Sequence, residues 1–166
     1  TLVDPKGHVV TSTTYNYRGE WKSKKCFEEA IKGNVFISDA QIIIDPYEVV
    51  VAIAVPIEDD SKKPQAAIVG QLNMERLWEI VNKIKIGKTG FVTIVNEQNY
   101  FIAHAKKEKL FNAAPFGPNK QSGSVKFVDA KRETLIYSAE NFVCKPEYEF
   151  PKWRIIVAQE RSDALA

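Results

Sequence analysis

Cysteine, methionine and histidine are scarce in this chain of 166 residues, which has two Cys, one Met and two His. Two cysteines, Cys26 and Cys144, far apart and with no CxxC, exclude a secretory disulfide framework and are expected to stay unbonded. His8, His104, Cys26 and Cys144 are scattered, whereas zinc ligands pair at close spacing, so no metal site is expected. Net charge is also low. Lys plus Arg number 23 against 21 Asp plus Glu, a formal +2, without the basic excess of a nucleic-acid binder. Eight Gly and eight Pro exclude a collagen-like or proline-rich chain. The longest apolar run, Val49 to Val55, falls far short of the ~20 residues that span a bilayer. No basic start followed by an apolar stretch marks a signal peptide. What remains is a globular composition, 45% hydrophobic and 27% charged, in a length that suits one ordinary domain or two small ones.

The order of turn and periodicity signals organises the chain. Leu2 to Val10 reads as strand, turn and strand, with Asp4-Pro5-Lys6-Gly7 supplying the turn. The stretch holding Tyr15, Tyr17, Arg18 and Trp21 fits no period and is expected to be a loop. Lys24 to Lys32 carries Phe27, Ala30 and Ile31 at helical spacing and stops at Gly33. Strands are expected near Val35–Ile37, Ile42–Ile44, Tyr47–Ile57 and Gln65–Leu72, with a turn at Asp45-Pro46. Asn73 is placed to cap a helix to Ile84, whose Met74, Leu77, Trp78 and Val81 form one apolar stripe. Strands then follow at Phe91–Val95, Tyr100–His104, Ser124–Val128, Thr134–Ala139 and Trp153–Gln159, with a short helix from Lys106 to Phe111. Ser162 to Ala166 reads as the first turn of a helix that leaves the domain. A hairpin followed by helix and antiparallel strands thus occurs twice, which predicts two similar α+β lobes.

Several motifs invite chemistry and do not sustain it. Ile86-Gly87-Lys88-Thr89 resembles the end of a phosphate-binding loop, but Asn82 stands where that motif needs its first Gly, and a helix precedes it. A tight turn between helix and strand is the expected reading. His104 has no nucleophile or carboxylate at a partner spacing, so a structural histidine is expected. Asp59-Asp60 sits beside Ser61, Lys62 and Lys63 and reads as a solvated hairpin turn. Lys22, Lys24 and Lys25, interleaved with Trp21, Cys26 and Phe27, fit either an edge that holds a small anion or an amphipathic helix with lysines in water.

A family resemblance rests on several stretches together. Ala30 to Asp39 and Ala52 to Ile57 resemble the distal lobe of a double Cache sensor domain, a PAS-like fold. Leu77 to Val81 and Ile84 to Phe91 are similar to the crossing into the second lobe. Ile102-Ala103-His104 resembles a strand of that lobe, and Trp153 to Val157 with Asp163 to Ala166 its last strand and exit helix. The resemblance implies an α+β fold of two PAS-like lobes, each a central antiparallel sheet with flanking helices. It places a distal lobe with the ligand pocket at 1–83 and a proximal lobe at 84–166, without the family's usual long N-terminal helix.

The same resemblance implies a sensor and not an enzyme, with no cofactor. The domain would stand on the extracytoplasmic side of the cell membrane, joined to it by transmembrane helices outside this chain. Its partner would be a small-molecule ligand, with no nucleic acid, and a homodimer of the full-length receptor stays open. Residues matching the family's amino-acid motif are Lys24, Cys26 and Phe27, then Gln41 and Gln71. Lys24 retains a charge for a carboxylate, whereas Gln41 and Gln71 replace the groups expected to hold an α-ammonium. A small carboxylate or other polar anion is the ligand expected, with Trp21 and Phe27 as apolar walls and Ser38, Asp39, Gln41 and Gln71 as hydrogen-bonding groups. The stretch from Leu77 to His104 looks most like sensor histidine kinases. A chemoreceptor, a diguanylate cyclase, and a structural or dimerisation module with no ligand are the alternatives.

Overall fold

A computed structural model describes residues 1–13, 21–44, 47–117, 122–126, 134–141 and 150–166. Cys144, the loop residues Tyr15, Tyr17 and Arg18, the Asp45-Pro46 turn and residues 127–128 lie outside the described residues. The described chain falls into two compact units. One is built from Thr1–Met74, and the other opens at Glu75 and carries the remainder apart from residues 150–151.

In the first unit, β1 (Leu2–Val3) and β2 (Val9–Thr11) form the opening hairpin. Its turn is held by Asp4, whose Oδ1 accepts the N–H groups of Lys6 and His8 at 2.9 Å each. Helix α1 (Lys25–Ile31) starts from an extended Lys24 and ends as expected at Gly33, whose φ of +95° favours a residue without a Cβ. The strands β3 (Phe36–Ile37), β4 (Gln41–Ile44), β5 (Tyr47–Glu58) and β6 (Pro64–Asn73) complete an antiparallel sheet. Its order is β2-β1-β6-β5-β3, with β4 also on β5. The long β-branched run therefore becomes the central hairpin β5–β6, turned at Asp59 to Lys63. Alternation along these strands sends Ala54, Ala67 and Val69 toward α1, where they join Val3, Trp21, Cys26, Phe27, Ala30 and Phe36 in one core.

The second unit begins with α2 (Glu75–Lys83), which packs on β7 (Phe91–Val95) and β8 (Phe101–Ala103). By packing, the division between units falls ahead of α2, whereas the sequence placed it at 83/84. Trp78 and Val81 are buried as the apolar stripe requires, and Leu77 is half-buried. Asn73 remains in the ladder opposite Val50, so the helix starts at Glu75, one residue later than the cap reading expects. A single 3-10 turn at Lys107–Lys109 replaces the expected helix from Lys106 to Phe111. Phe111 instead takes a φ of +61° and donates its N–H to the carbonyl of Phe101 at 2.7 Å. The strands β9 (Ser122–Lys126), β10 (Thr134–Asn141) and β11 (Arg154–Glu160) give the order β8-β7-β11-β10-β9, and α3 (Arg161–Ala164) follows. Val95, Phe101, Ala114, Phe116, Leu135, Tyr137, Ala139, Ile156 and Ala158 form its core.

The two sheets share one plan. In each, the first strand of the opening hairpin pairs with the last strand of the unit, which pairs with the strand before it. The repeat expected from element order is thus a repeat of topology, two PAS-like lobes of an α+β fold. Among the described residues no helix is long and apolar enough to cross a membrane.

Candidate functional site

A cleft of about 270 Å³ opens in the first unit, between the sheet and the segments that flank its β6–β5 centre. Val50, Val69, Gln71 and Asn73 come from the α1-facing side of β5 and β6, because Val50 pairs with Asn73 and Ala52 with Gln71. Ile43 reaches it from β4, Glu48 from the start of β5, and Thr13 and Trp21 from the segments that bracket residues 14–20. Among the described residues the lining is therefore mixed: aliphatic side chains, the Trp21 ring, hydroxyl and amide groups, and Glu48. Such a site can desolvate a small polar molecule while offering it hydrogen bonds.

Trp21 is 3% exposed and bridges core and cleft, since its ring belongs to the α1 core and also lines the opening. Lys24 stands at the N-terminal boundary of α1 with its Nζ 4.5 Å from the centre of the Trp21 ring. It does not line the cleft, and its cation meets a ring face there.

The other expected site residues divide by face. Cys26 and Phe27 point into the core with Ala30, because they lie on the buried side of α1. Burial pushes the Cys26 thiol upward, so it behaves as a small apolar group. Ser38 is buried and fully engaged. Its hydroxyl donates to the Asp39 carbonyl at 2.8 Å and accepts from the Ala52 N–H and Gln41 Nε2 at 2.9 Å each. Asp39 accepts the N–H of Ala40 at 2.8 Å. Ser38, Asp39 and Gln41 thus shape the β3–β4 connection and tie it to β5. Of the eight residues expected, Trp21 and Gln71 line the cleft.

Sequence reasoning missed Glu48. A signal was present: a carboxylate inside the β-branched run that begins at Tyr47 is out of place in a half-buried strand unless something polar meets it. Thr13, Ile43, Val50, Val69 and Asn73 carried no mark, because each is an ordinary strand or loop residue until the sheet closes.

Two PAS-like lobes in series, with a lined cleft in the first, define a small-molecule sensor domain. The chain belongs to the Cache domain family, whose double-Cache model matches residues 1–166. Solved structures with the same fold include the ligand-binding domain of the Pseudomonas aeruginosa PAO1 amino acid chemoreceptor PctB in complex with L-Arg. That likeness has a TM-score of 0.73 at 15% identity and covers 99% of this chain and 72% of that one. The ligand-binding domain of the Pseudomonas fluorescens chemoreceptor CtaA, in complex with L-alanine, gives 0.73 at 14% identity, over 99% of this chain and 73% of that one. The PctC domain of P. aeruginosa, in complex with GABA, gives 0.71 at 13% identity, over 95% and 72%. No curated protein matches the chain in sequence.

Proposed function

We propose that this chain is the extracytoplasmic sensing domain of a transmembrane receptor, and that a small ligand carrying an ammonium group binds in the cleft of its first lobe. The observation that carries the ligand class is Glu48 in the lining, with the Trp21 ring beside the same opening. The Glu48 carboxylate favours a cation, Trp21 gives it an apolar wall, and Gln71, Asn73 and Thr13 supply neutral donors and acceptors for the remainder of the molecule. This replaces the anion suggested by Lys24 alone, whose charge lies over Trp21. The amino acids and GABA named for PctB, CtaA and PctC all contain an amine, which agrees with this chemistry.

Titration calorimetry tests the reading with amines and amino acids chosen by a thermal-shift screen against small carboxylates of equal size. Ligands that bind the folded state raise its stability by mass action. Amine-bearing compounds are expected to bind and Glu48→Gln to weaken them by roughly ten- to hundredfold, the loss of one charge-assisted hydrogen bond of about 1.5–3 kcal/mol. Preferential binding of amine-free carboxylates, abolished by Lys24→Met, would instead restore the anion pocket.

The receptor's output is proposed to be a histidine kinase, on the likeness of Leu77 to His104 to sensor kinases. Sequencing the gene beyond Ala166 tests it. A chemoreceptor signalling hairpin or a cyclase domain there would overturn it.

A further inference from the structure

The phosphate-loop-like Gly87-Lys88-Thr89-Gly90 turn already holds an anion, and the anion is part of the chain. Oδ2 of Asp163, on α3, accepts the backbone N–H groups of Lys88 and Thr89 at 2.9 Å each. It also accepts the Thr89 hydroxyl and Nε2 of Gln159, again at 2.9 Å. The Thr89 oxygen in turn accepts the N–H of Glu160 at 3.2 Å, so both ends of the β11–α3 junction are fastened to one turn. Gly87 makes the approach possible. Its φ is +56°, and a Cβ there would run into Nε2 of Gln159 and come within 3.0 Å of Oδ2 of Asp163. Helix α3 has only four residues, too short to be stable by its own hydrogen bonds.

We propose that the Gly87–Gly90 turn and Asp163 form a latch that makes the turn and the exit helix α3 open and close as one body. Its place in the chain gives it a use. Gln71 and Asn73 line the cleft at the end of β6, the chain then continues through α2, and the latched turn follows it. Displacement at the end of β6 thus has a covalent route, through α2 and the latched turn, to α3. That use rests on the sensing reading above, whereas the latch itself does not. Its test contains no ligand, so its failure would leave the ligand site standing.

Hydrogen exchange of the ligand-free chain, resolved by residue, provides that test. The amides of Lys88, Thr89 and Leu165 are expected to exchange with matching protection. Asp163→Ala should accelerate all three by about tenfold or more while the β7–β11 ladder keeps its protection. Thr89→Val should give a smaller acceleration of the same three amides, and Thr89→Ser, which keeps the hydroxyl, should restore them. Acceleration of Lys88 and Thr89 without Leu165 would overturn the proposal. So would protection unchanged by Asp163→Ala, or a loss spread evenly through β7 and β11, which would mark Asp163 as a general stabiliser of the fold.

Discussion

His104 is 5% exposed, with its ring edge-on to Phe101 at 4.9 Å and tilted against Phe91 at 5.4 Å. Nδ1 accepts the N–H of Lys106 at 2.9 Å, so the ring's proton is on Nε2. Burial, then the charges of Lys109 and Lys106, push its pKa down to about 4. Between that value and the ordinary 6.5 the unfolded chain binds a proton that the folded chain refuses. The His104 contribution should therefore be lost as pH drops from 6.5 toward 4, by up to about 2–3 kcal/mol. Below that range the Asp163 carboxyl, lowered to about 2 by the hydrogen bonds from Gln159 and Thr89, adds a further fall. Urea unfolding from pH 6.5 to 4 measures the His104 part, and His104→Phe should flatten the slope. A stability that does not change with pH there would mean that the folded imidazole takes up its proton as readily as the unfolded one. Residue identity made the structural role of His104 legible. It did not reveal the part played by Lys24, because a side chain at a helix boundary can turn to either side and only the closed sheet fixes which.

At the level of elements, glycine positions separate turn from strand. Gly87 sits at positive φ with no room for a methyl group, while at Gly70 in β6 an added Cβ would meet nothing within 4 Å. Gly87→Ala should therefore destabilise by more than about 1 kcal/mol, and Gly70→Ala should be neutral or stabilising by about 0.5 kcal/mol. Equal effects on the urea midpoint would contradict the two backbone geometries. Helix α2 offers a second contrast. Val81 is buried and Ile80, its neighbour in sequence, is 58% exposed. Val81→Ala should lower stability by about 2 kcal/mol, and Ile80→Ala by less than about 0.5 kcal/mol. Elements of this kind were readable because periodicity reports burial directly. The expected helix from Lys106 was not, since Phe111 takes its conformation from a bond to Phe101 that no local pattern announces.

Over the whole molecule, the twofold plan was legible because each lobe opens with a hairpin whose turn residues are plain in the sequence. The cleft was legible only in part. Among the described residues its lining comes from Thr1, β4, β5, β6 and the chain on both sides of residues 14–20, and no spacing rule connects those segments. The tryptophans now provide a test at this scale. Trp21 lines the cleft, while Trp78 and Trp153 belong to the second unit. Any cleft ligand should change the tryptophan emission through Trp21, so Trp21→Phe should abolish that change. A response that survives the substitution would place binding elsewhere.

The two sheet orders also set a schedule for synthesis. Every strand of the first sheet has been synthesised once Asn73 is made, and its central pair, β5 and β6, is consecutive in the chain. The second sheet has β11, the last of its strands to be made, at its centre, between β7 and β10. It cannot form until Glu160 emerges, and until then β7 and β10 lack the strand that joins them. The nascent chain therefore acquires its cleft-bearing lobe first and carries the second as two separate strand pairs, β7–β8 and β9–β10, whose open edges at β7 and β10 are exposed to aggregation. A ribosome stalled just short of β11 would present a folded, cleft-bearing first lobe beside a second sheet that still lacks its central strand.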